Sequence, residues 1–581
     1  MSGDPPMFAV TPRTDPRPPV TWRSRGRWAG WGYVLPALVV VTVIIIASLV
    51  MTVAASLRAP SGYRALVLDP QFGPALRNNL AWVGFTVVTC VLGLGLAYVA
   101  RSAGARSRRV LTVALVIPAV ISPLTAGIAF RIIFDHRPER GPVAAVVRAA
   151  LGPAAGAGDG SQGYLLGAGW IWVLLGAAFV WQWTGVAFLA FHDGLRRVRE
   201  DLVRIARIFA PGPWSKLRLV LIPTLLPSAA VAGLIVLLAA TRTFEIVLVA
   251  VPGSLQDQVD VLGLFWWRQS DVFVQGEREA LGVLLFLIPA AAALTLLWRL
   301  RKELPSSGPS GAARLPSRAT GRWTWVLPGL VAAVWLTPIA ALLLASFHAP
   351  VDVARSGLLN GDYGLESYQE ALSDGSLLAA MVPTATRAVL VAVLVVLTAV
   401  PAAYGLTHAG MRRRTAGAFV AFAAVFATIP PQAIAVPLGR TTAGLAGGPV
   451  TLSLIHAALV LPLAVLLLRG AFASVPRSVV DRPLAQGESA FRRVVEARLP
   501  AVLTVAVLAA VSTWNDLVVS LLLSWPSADQ VPLVVWQQSR YFATSAGPLA
   551  AESVLAGVVP VALVLANGRL LAEGLTTGVD R

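Results

Sequence analysis

Lysine is almost absent from this 581-residue chain, which carries it only at Lys216 and Lys302. A phosphate-cradling loop ends in Gly-Lys-Ser/Thr, whereas Ser215 precedes one lysine here and Arg301 the other. The chain therefore holds no such loop, and any nucleotide hydrolysis that drives it belongs to a separate polypeptide. Cysteine is reduced to Cys90, inside an apolar run, which excludes an internal disulfide and a thiolate metal cluster. The five histidines are scattered singly and offer no metal-ligand spacing. Charge is scarce too: 13% of residues are charged against 56% apolar, with a mean hydropathy of +0.72. That balance excludes a soluble globule and predicts an all-α polytopic membrane protein. In a soluble protein a net charge of +18 would suggest nucleic acid. Here the arginines lie between apolar spans, so the charge reads as membrane topology and no nucleic-acid partner is expected.

What is present is a succession of apolar runs. Residues 1–30 are mostly Pro- and Arg-rich and read as a disordered cytoplasmic tail. The run at about 31–56 is too long for a cleaved leader and fits a first span. Further spans are expected near 79–100, 110–133, 167–192, 221–242 and 279–298. A Pro/Ser/Gly/Arg stretch at 299–322 then reads as a cytoplasmic linker. Six more spans are expected near 323–347, 381–407, 416–438, 449–470, 501–523 and 549–571. The layout is two domains of six spans, 31–298 and 323–581, about twelve in all. Basic residues favour one set of loops by roughly three to one, which predicts that both termini are cytoplasmic. The Gly/Ala-rich loop near 134–166 falls outside and reads as a flexible insertion.

Two cytoplasmic loops, 198–227 and 475–500, repeat one pattern: a charged helical stretch, a small residue, an Arg-bearing run, then Leu or Ile before Pro. In the first, Leu202, Ile205, Ala206 and Phe209 share one helical face, with Arg199, Arg204 and Arg207 on the others. A lone amphipathic segment would suit a lipid surface; its recurrence at the matching place favours a docking site. In the other loop Asp481 can cap a short helix whose first turn tolerates Pro483, and Gly487 permits a sharp exit.

These loops resemble the EAA loop of the integral-membrane subunits of bacterial ABC importers. RIARIFAPGPW with Ile222-Pro223 is the first copy, in which Arg204 stands where the family usually has Glu and Ala210 where it usually has Gly. DRPLAQGESAF with Leu499-Pro500 is the other copy, in which Asp481 replaces Glu and Gly487 is kept. The resemblance implies coupling helices that dock on ATPase subunits through Leu202, Arg204, Ala206, Arg207, Ala210 and Gly212, and through Asp481, Leu484, Gly487 and Glu488. Finer features are similar to the carbohydrate-uptake, maltose-type branch. The N-terminal half resembles the larger sugar permease subunit, with Pro36-Ala37, Leu76-Arg77-Asn78-Asn79 and the segment from Thr241 to Gln269. The C-terminal half resembles the partner of that subunit, with Ile429-Pro430-Pro431-Gln432, Trp514-Asn515-Asp516 and Glu573 to Gly578.

The resemblance thus implies a fused two-subunit permease in a bacterial cytoplasmic membrane. It would carry a sugar or oligosaccharide delivered by an extracytoplasmic binding protein. Two ABC ATPase subunits would bind the ATP and Mg, and this chain would be no enzyme and hold no cofactor or metal. Thiamine, ferric iron or polyamine cargo is the alternative within the same mechanism. An ion-coupled secondary transporter is the alternative outside it, but it calls for mid-span ionisable groups, and these spans have few carboxylates. A scaffold that has lost transport is a third reading, prompted by the atypical first loop.

Charges near hydrocarbon cost about 2.5–3.5 kcal/mol on insertion scales and face a cavity or a partner. Arg242 and Glu245 are spaced to pair on one helical face at the end of the fifth span, and Trp514, Asn515 and Asp516 hold the equivalent place in the C-terminal half. Two readings stay open for both groups: a structural ion pair near the interface, or the lining of a gate and substrate pathway. Arg387 reads as a residue snorkelling at the start of its span. Trp266 and Trp267 are candidates for stacking on a sugar ring, against a base rate of interfacial anchoring. Gly93 and Gly95 read as helix packing, since no strand precedes them.

Overall fold

The computed structural model describes residues 29–135, 140–151, 168–196, 222–303 without 275, 323–442 without 374, 449–476, 479, 489–523 and 529–567 without 543. Lipid cannot satisfy free N–H and C=O groups, so apolar runs of this length close their hydrogen bonds as helices. In the first half these are α1 (Ala29–Val41) and α2 (Ala47–Arg58), joined by a π-helical turn, then α3 (Ser61–Leu68), α4 (Phe72–Ser102), α5 (Ala105–Val120), α6 (Pro123–Ile133) and α7 (Pro142–Leu151). They are followed by α8 (Ala168–Arg196), α9 (Ile222–Thr241), α10 (Glu245–Ala250), α11 (Gln256–Val259), α12 (Leu262–Arg268) and α13 (Glu277–Glu303). The second half contains α14 (Trp323–Ser346), α15 (Asp352–Arg355), α16 (Glu366–Ser373), α17 (Ser376–Thr407), α18 (Arg413–Phe426) and α19 (Gln432–Thr442). It ends with α20 (Pro449–Ala473), α21 (Ala490–Ala497), α22 (Leu499–Trp514), α23 (Val518–Leu523), α24 (Val531–Ser539) and α25 (Ala546–Ala566).

Nine helices among the described residues are long and apolar enough to cross a membrane, and two bent pairs bring the number to as many as eleven. The fold is the expected all-α polytopic one, but three of the expected spans are not continuous. The span expected at 110–133 bends by 105° between α5 and α6. The one at 416–438 is interrupted between Phe426 and Gln432, and the one at 501–523 between Trp514 and Val518. The 134–166 loop, expected to be flexible throughout, contains the helix α7.

The halves exchange their first helices. Val34, Ala37, Val41, Ile45 and Leu49 of α1, α2 and the turn between them are buried in the core built by α17, α20 and α22. Gly405 of α17 lets the backbone of Gly30 approach so closely that a Cβ would meet its carbonyl at 2.8 Å. Conversely, α14 lies on the first half, where Trp181 Nε1 donates to the Trp335 carbonyl at 2.7 Å. Each first helix thereby buries apolar surface on the opposite half. Within the first half Gly93 packs as expected, since a Cβ there would lie 2.7 Å from the Ala187 side chain. Gly95 faces open space and has no packing role in this arrangement.

Candidate functional site

The broken spans meet between the halves. Ile121 turns extended after α5 and Pro123 opens α6, while Ser122 caps it by accepting from Leu124 N at 3.2 Å. α9 stops at Thr241 and α10 starts at Glu245. In the second half Asp516 Oδ1 accepts from Val518 N at 3.0 Å and starts α23 after the break at Asn515. Each break frees backbone groups that apolar surroundings cannot satisfy.

Side chains from the opposite half take up those groups. Arg242 Nη2 donates to the Ala427 carbonyl at 2.8 Å and also to the Ile429 carbonyl, at the break between α18 and α19. Asn515 Nδ2 donates to the Val120 carbonyl at 2.7 Å, at the break between α5 and α6. Leu517 N donates to Glu245 Oε1 at 3.4 Å. Ser122 Oγ lies 3.5 Å from both Glu245 Oε2 and the Asn515 carbonyl. Every one of these bonds except the Ser122–Glu245 contact joins the halves. The adjoining cleft, lined by Ser122, Thr125, Trp514, Asn515 and Val535, has a cavity volume of about 10 Å³. That is room for about one water, so the halves are drawn together here rather than parted around a solute.

The structure therefore brings Arg242, Glu245, Asn515 and Asp516 to one junction. It does not pair Arg242 with Glu245 among the described residues; each reaches across instead. Trp514 is buried behind them and donates from Nε1 to the Ala556 carbonyl at 2.9 Å. Asp516 also lies 2.9 Å from His456 Nε2 of α20. Sequence reasoning missed Ser122 and His456. The Ser-Pro pair is a helix-start signal inside an apolar run, whereas a lone histidine in such a run carries no signal.

Two expectations are corrected. Trp266 cannot stack on a sugar: it is fully buried, Nε1 donates to the Arg278 carbonyl at 3.0 Å, and the Arg278 guanidinium covers its ring at 4.3 Å. Trp267 packs edge-on against Phe244 and, across the halves, against Trp536. Arg387 does not snorkel, since it lies well inside α17 and is 1% exposed. The coupling residues Leu202, Arg204, Ala206, Arg207, Ala210, Gly212, Asp481, Leu484, Gly487 and Glu488 lie outside the described residues, as does Glu573 to Gly578.

The Asn78-Asn79 pair has a clear structural use. Asn78 Nδ2 donates to the Gln258 and Asp260 carbonyls at 3.2 and 2.9 Å, and Leu262 N donates to Asn79 Oδ1 at 2.8 Å. Together they fasten the α11–α12 loop to α4. Inside that loop Arg268 bridges Asp257 at 2.6 Å and Asp260 at 2.9 Å. Burial pushes the Asp260 carboxyl up to about 6, against the pull of Arg268. The penalty wins because Arg268 is shared with Asp257 and the other Asp260 oxygen has no hydrogen-bond partner.

Residues 90–299 match the family described as the binding-protein-dependent transport system inner membrane component. An osmoprotective compounds uptake permease protein of Synechocystis is 25% identical over 43% of this chain and 88% of its own length. The sulfoquinovosyl glycerol transport system permease protein of Agrobacterium fabrum is 28% identical over 37% of this chain and 77% of its own. For the alpha-glucoside transport system permease protein of Rhizobium meliloti the values are 22%, 48% and 83%. Each relative is thus matched over most of its length by less than half of this chain. Residues 90–299, within an all-helical fold whose broken spans meet between its halves, thus carry the inner membrane component of binding-protein-dependent transport systems.

Proposed function

We propose that this chain is both membrane halves of a carbohydrate importer in one polypeptide, divided as 31–298 and 323–581 by a cytoplasmic linker. Relatives named for sulfoquinovosyl glycerol and alpha-glucoside transport support the cargo class over thiamine, iron or polyamine. The family match removes the ground for an ion-coupled carrier. A binding protein delivers the saccharide, and two separate ATPase subunits dock beneath 198–227 and 475–500. The chain itself catalyses no covalent step, and both its termini are cytoplasmic.

The observation that carries the mechanism is the set of bonds across the halves at the broken spans. Arg242, Glu245 and Asn515 hold backbone groups of the other half, so the path cannot open there until they let go. They form the gate that ATP-driven movement of the coupling loops closes and releases in turn. Polar side chains suit this role because water replaces the lost partners when the halves separate. Co-purification with candidate ATPases, followed by ATP hydrolysis measured with a panel of loaded binding proteins, tests the proposal. Stimulation by a saccharide-loaded binding protein is the expected result. If no ATPase binds, or if binding survives disruption of both loops, the mechanism is wrong.

A further inference from the structure

The second half holds a buried cation that the gate does not use. Arg387 is 1% exposed, within a membrane-spanning helix. Its Nη2 lies 3.7 Å from Asp529 Oδ2, a long contact, while Nε and Nη1 are buried with no hydrogen-bond partner among the described residues. Asp529 is 43% exposed on its side chain and leaves its Oδ1 unpartnered. The neighbouring Gln530 is fully buried; its Oε1 accepts from Ser520 Oγ, and its Nε2 has no partner. Val531 N donates to Thr384 Oγ1 at 3.1 Å. Thr384 precedes Arg387 by one turn of α17, so the 529–531 segment lies along the face that carries Arg387.

A guanidinium has five donors and a buried one is costly unless its hydrogen bonds are made. A purely structural ion pair would close up and spend them. Here the carboxylate sits at the long end of ion-pair range on a part-exposed side chain, while buried N–H groups of Arg387 and Gln530 are left over. Buried donors whose nearby acceptor, Asp529, stays at long range suit an oxyanion, which brings several lone pairs at once. Asp529 is placed to act as a resident counter-ion that swings to water when that oxyanion arrives.

We propose that Arg387 and Gln530 form an anion subsite on the solute path, which receives the carboxylate or sulfonate of an acidic saccharide in exchange for Asp529. The inference rests on the carbohydrate reading above and narrows it to negatively charged sugars.

The full chain in phosphatidylcholine nanodiscs is titrated with digalacturonate, with its neutral dimethyl ester and with inorganic sulfate, and binding is followed by thermal unfolding and tryptophan fluorescence. Digalacturonate is expected to bind at least about tenfold more tightly than the ester, the scale of one charge-assisted hydrogen bond. Arg387→Gln should erase that preference and Arg387→Lys keep part of it. Asp529→Asn should strengthen digalacturonate binding, a gain that loss of a structural ion pair would not produce. Equal binding of acid and ester to the unaltered chain, or a preference that survives Arg387→Gln, overturns the subsite and leaves the carbohydrate reading intact. Sulfate protection that needs Arg387, without binding of either sugar, keeps the subsite and overturns the carbohydrate reading. No response to any of the three ligands overturns both. If phosphatidylglycerol nanodiscs abolish the effect, the occupant is a lipid phosphate and the proposal fails.

Discussion

The Arg242 guanidinium of the first half donates to the Ala427 carbonyl of the second at 2.8 Å, filling the hydrogen-bond vacancy where the span from α18 to α19 is interrupted. A hydrogen bond from a charged donor contributes about 1.5–3 kcal/mol, and Arg242 also reaches the Ile429 carbonyl. Arg242→Gln should therefore bias the halves apart. Basal ATP hydrolysis of the assembled transporter should rise several-fold while stimulation by the loaded binding protein shrinks. A mutant with normal basal rate and normal stimulation would remove Arg242 from the gate.

Ser122 and Asn515 touch across the same junction, with Ser122 Oγ 3.5 Å from the Asn515 carbonyl. Replacing both with cysteine in a Cys90→Ser background gives a reporter of closure. Oxidation should cross-link the pair, abolish uptake and leave it recoverable with reductant. Efficient cross-linking with uptake undiminished would mean that the junction never opens during transport.

Packing predicts a contrast between two glycines. A Cβ at Gly185 would collide with the Leu115 carbonyl oxygen, while one at Gly95 would meet nothing within 4 Å. Overpacking of a tight contact costs roughly 1–3 kcal/mol, more when the obstacle is backbone. Gly185→Ala should lower the unfolding midpoint in detergent by several degrees, and Gly95→Ala should leave it unchanged or slightly raised. Equal midpoints would show that α8 and α5 are not packed this closely.

The α11–α12 loop should respond to pH through Asp260. Its folded-state value of about 6 lies above the ordinary 3.8, so the folded loop holds the proton more tightly than the unfolded chain. That stabilisation is complete below about pH 4 and lost as pH rises through about 6. Hydrogen exchange over 256–268, corrected for intrinsic rates, should show more protection at about pH 5 than at about pH 7.5. Asp260→Asn should flatten the difference; a slope that persists in that variant assigns it to another group.

For the coupling loop at 475–500 the expectation comes from sequence. Gly487→Pro should abolish coupled uptake with insertion and abundance unchanged, because the sharp exit from the loop requires a residue without proline's fixed φ. Normal uptake in this variant would take 475–500 out of the coupling path.

Much of this was legible in the sequence because lipid imposes a simple rule. Long apolar runs must become helices. That Arg242, Glu245 and Asn515 would need polar partners followed from the cost of polar groups near hydrocarbon. Their partners did not, because the obvious pairing of Arg242 with Glu245 is local, whereas the observed bonds run to Ala427, Leu517 and Val120. The interruptions at Ser122 and Pro430 were present as proline signals, but hydropathy averages across them.

Composition by itself determined that the chain is helical, lies in a membrane and lacks a phosphate-binding loop of its own, since each of these depends only on which residues are present and in what order. The exchange of first helices, the meeting of the broken spans and the burial of Arg387 were decided by tertiary structure alone. Hydropathy gives a helix its length and its solvent but not its neighbour, and in lipid the choice of neighbour rests on close packing and on which side chain reaches an unsatisfied carbonyl.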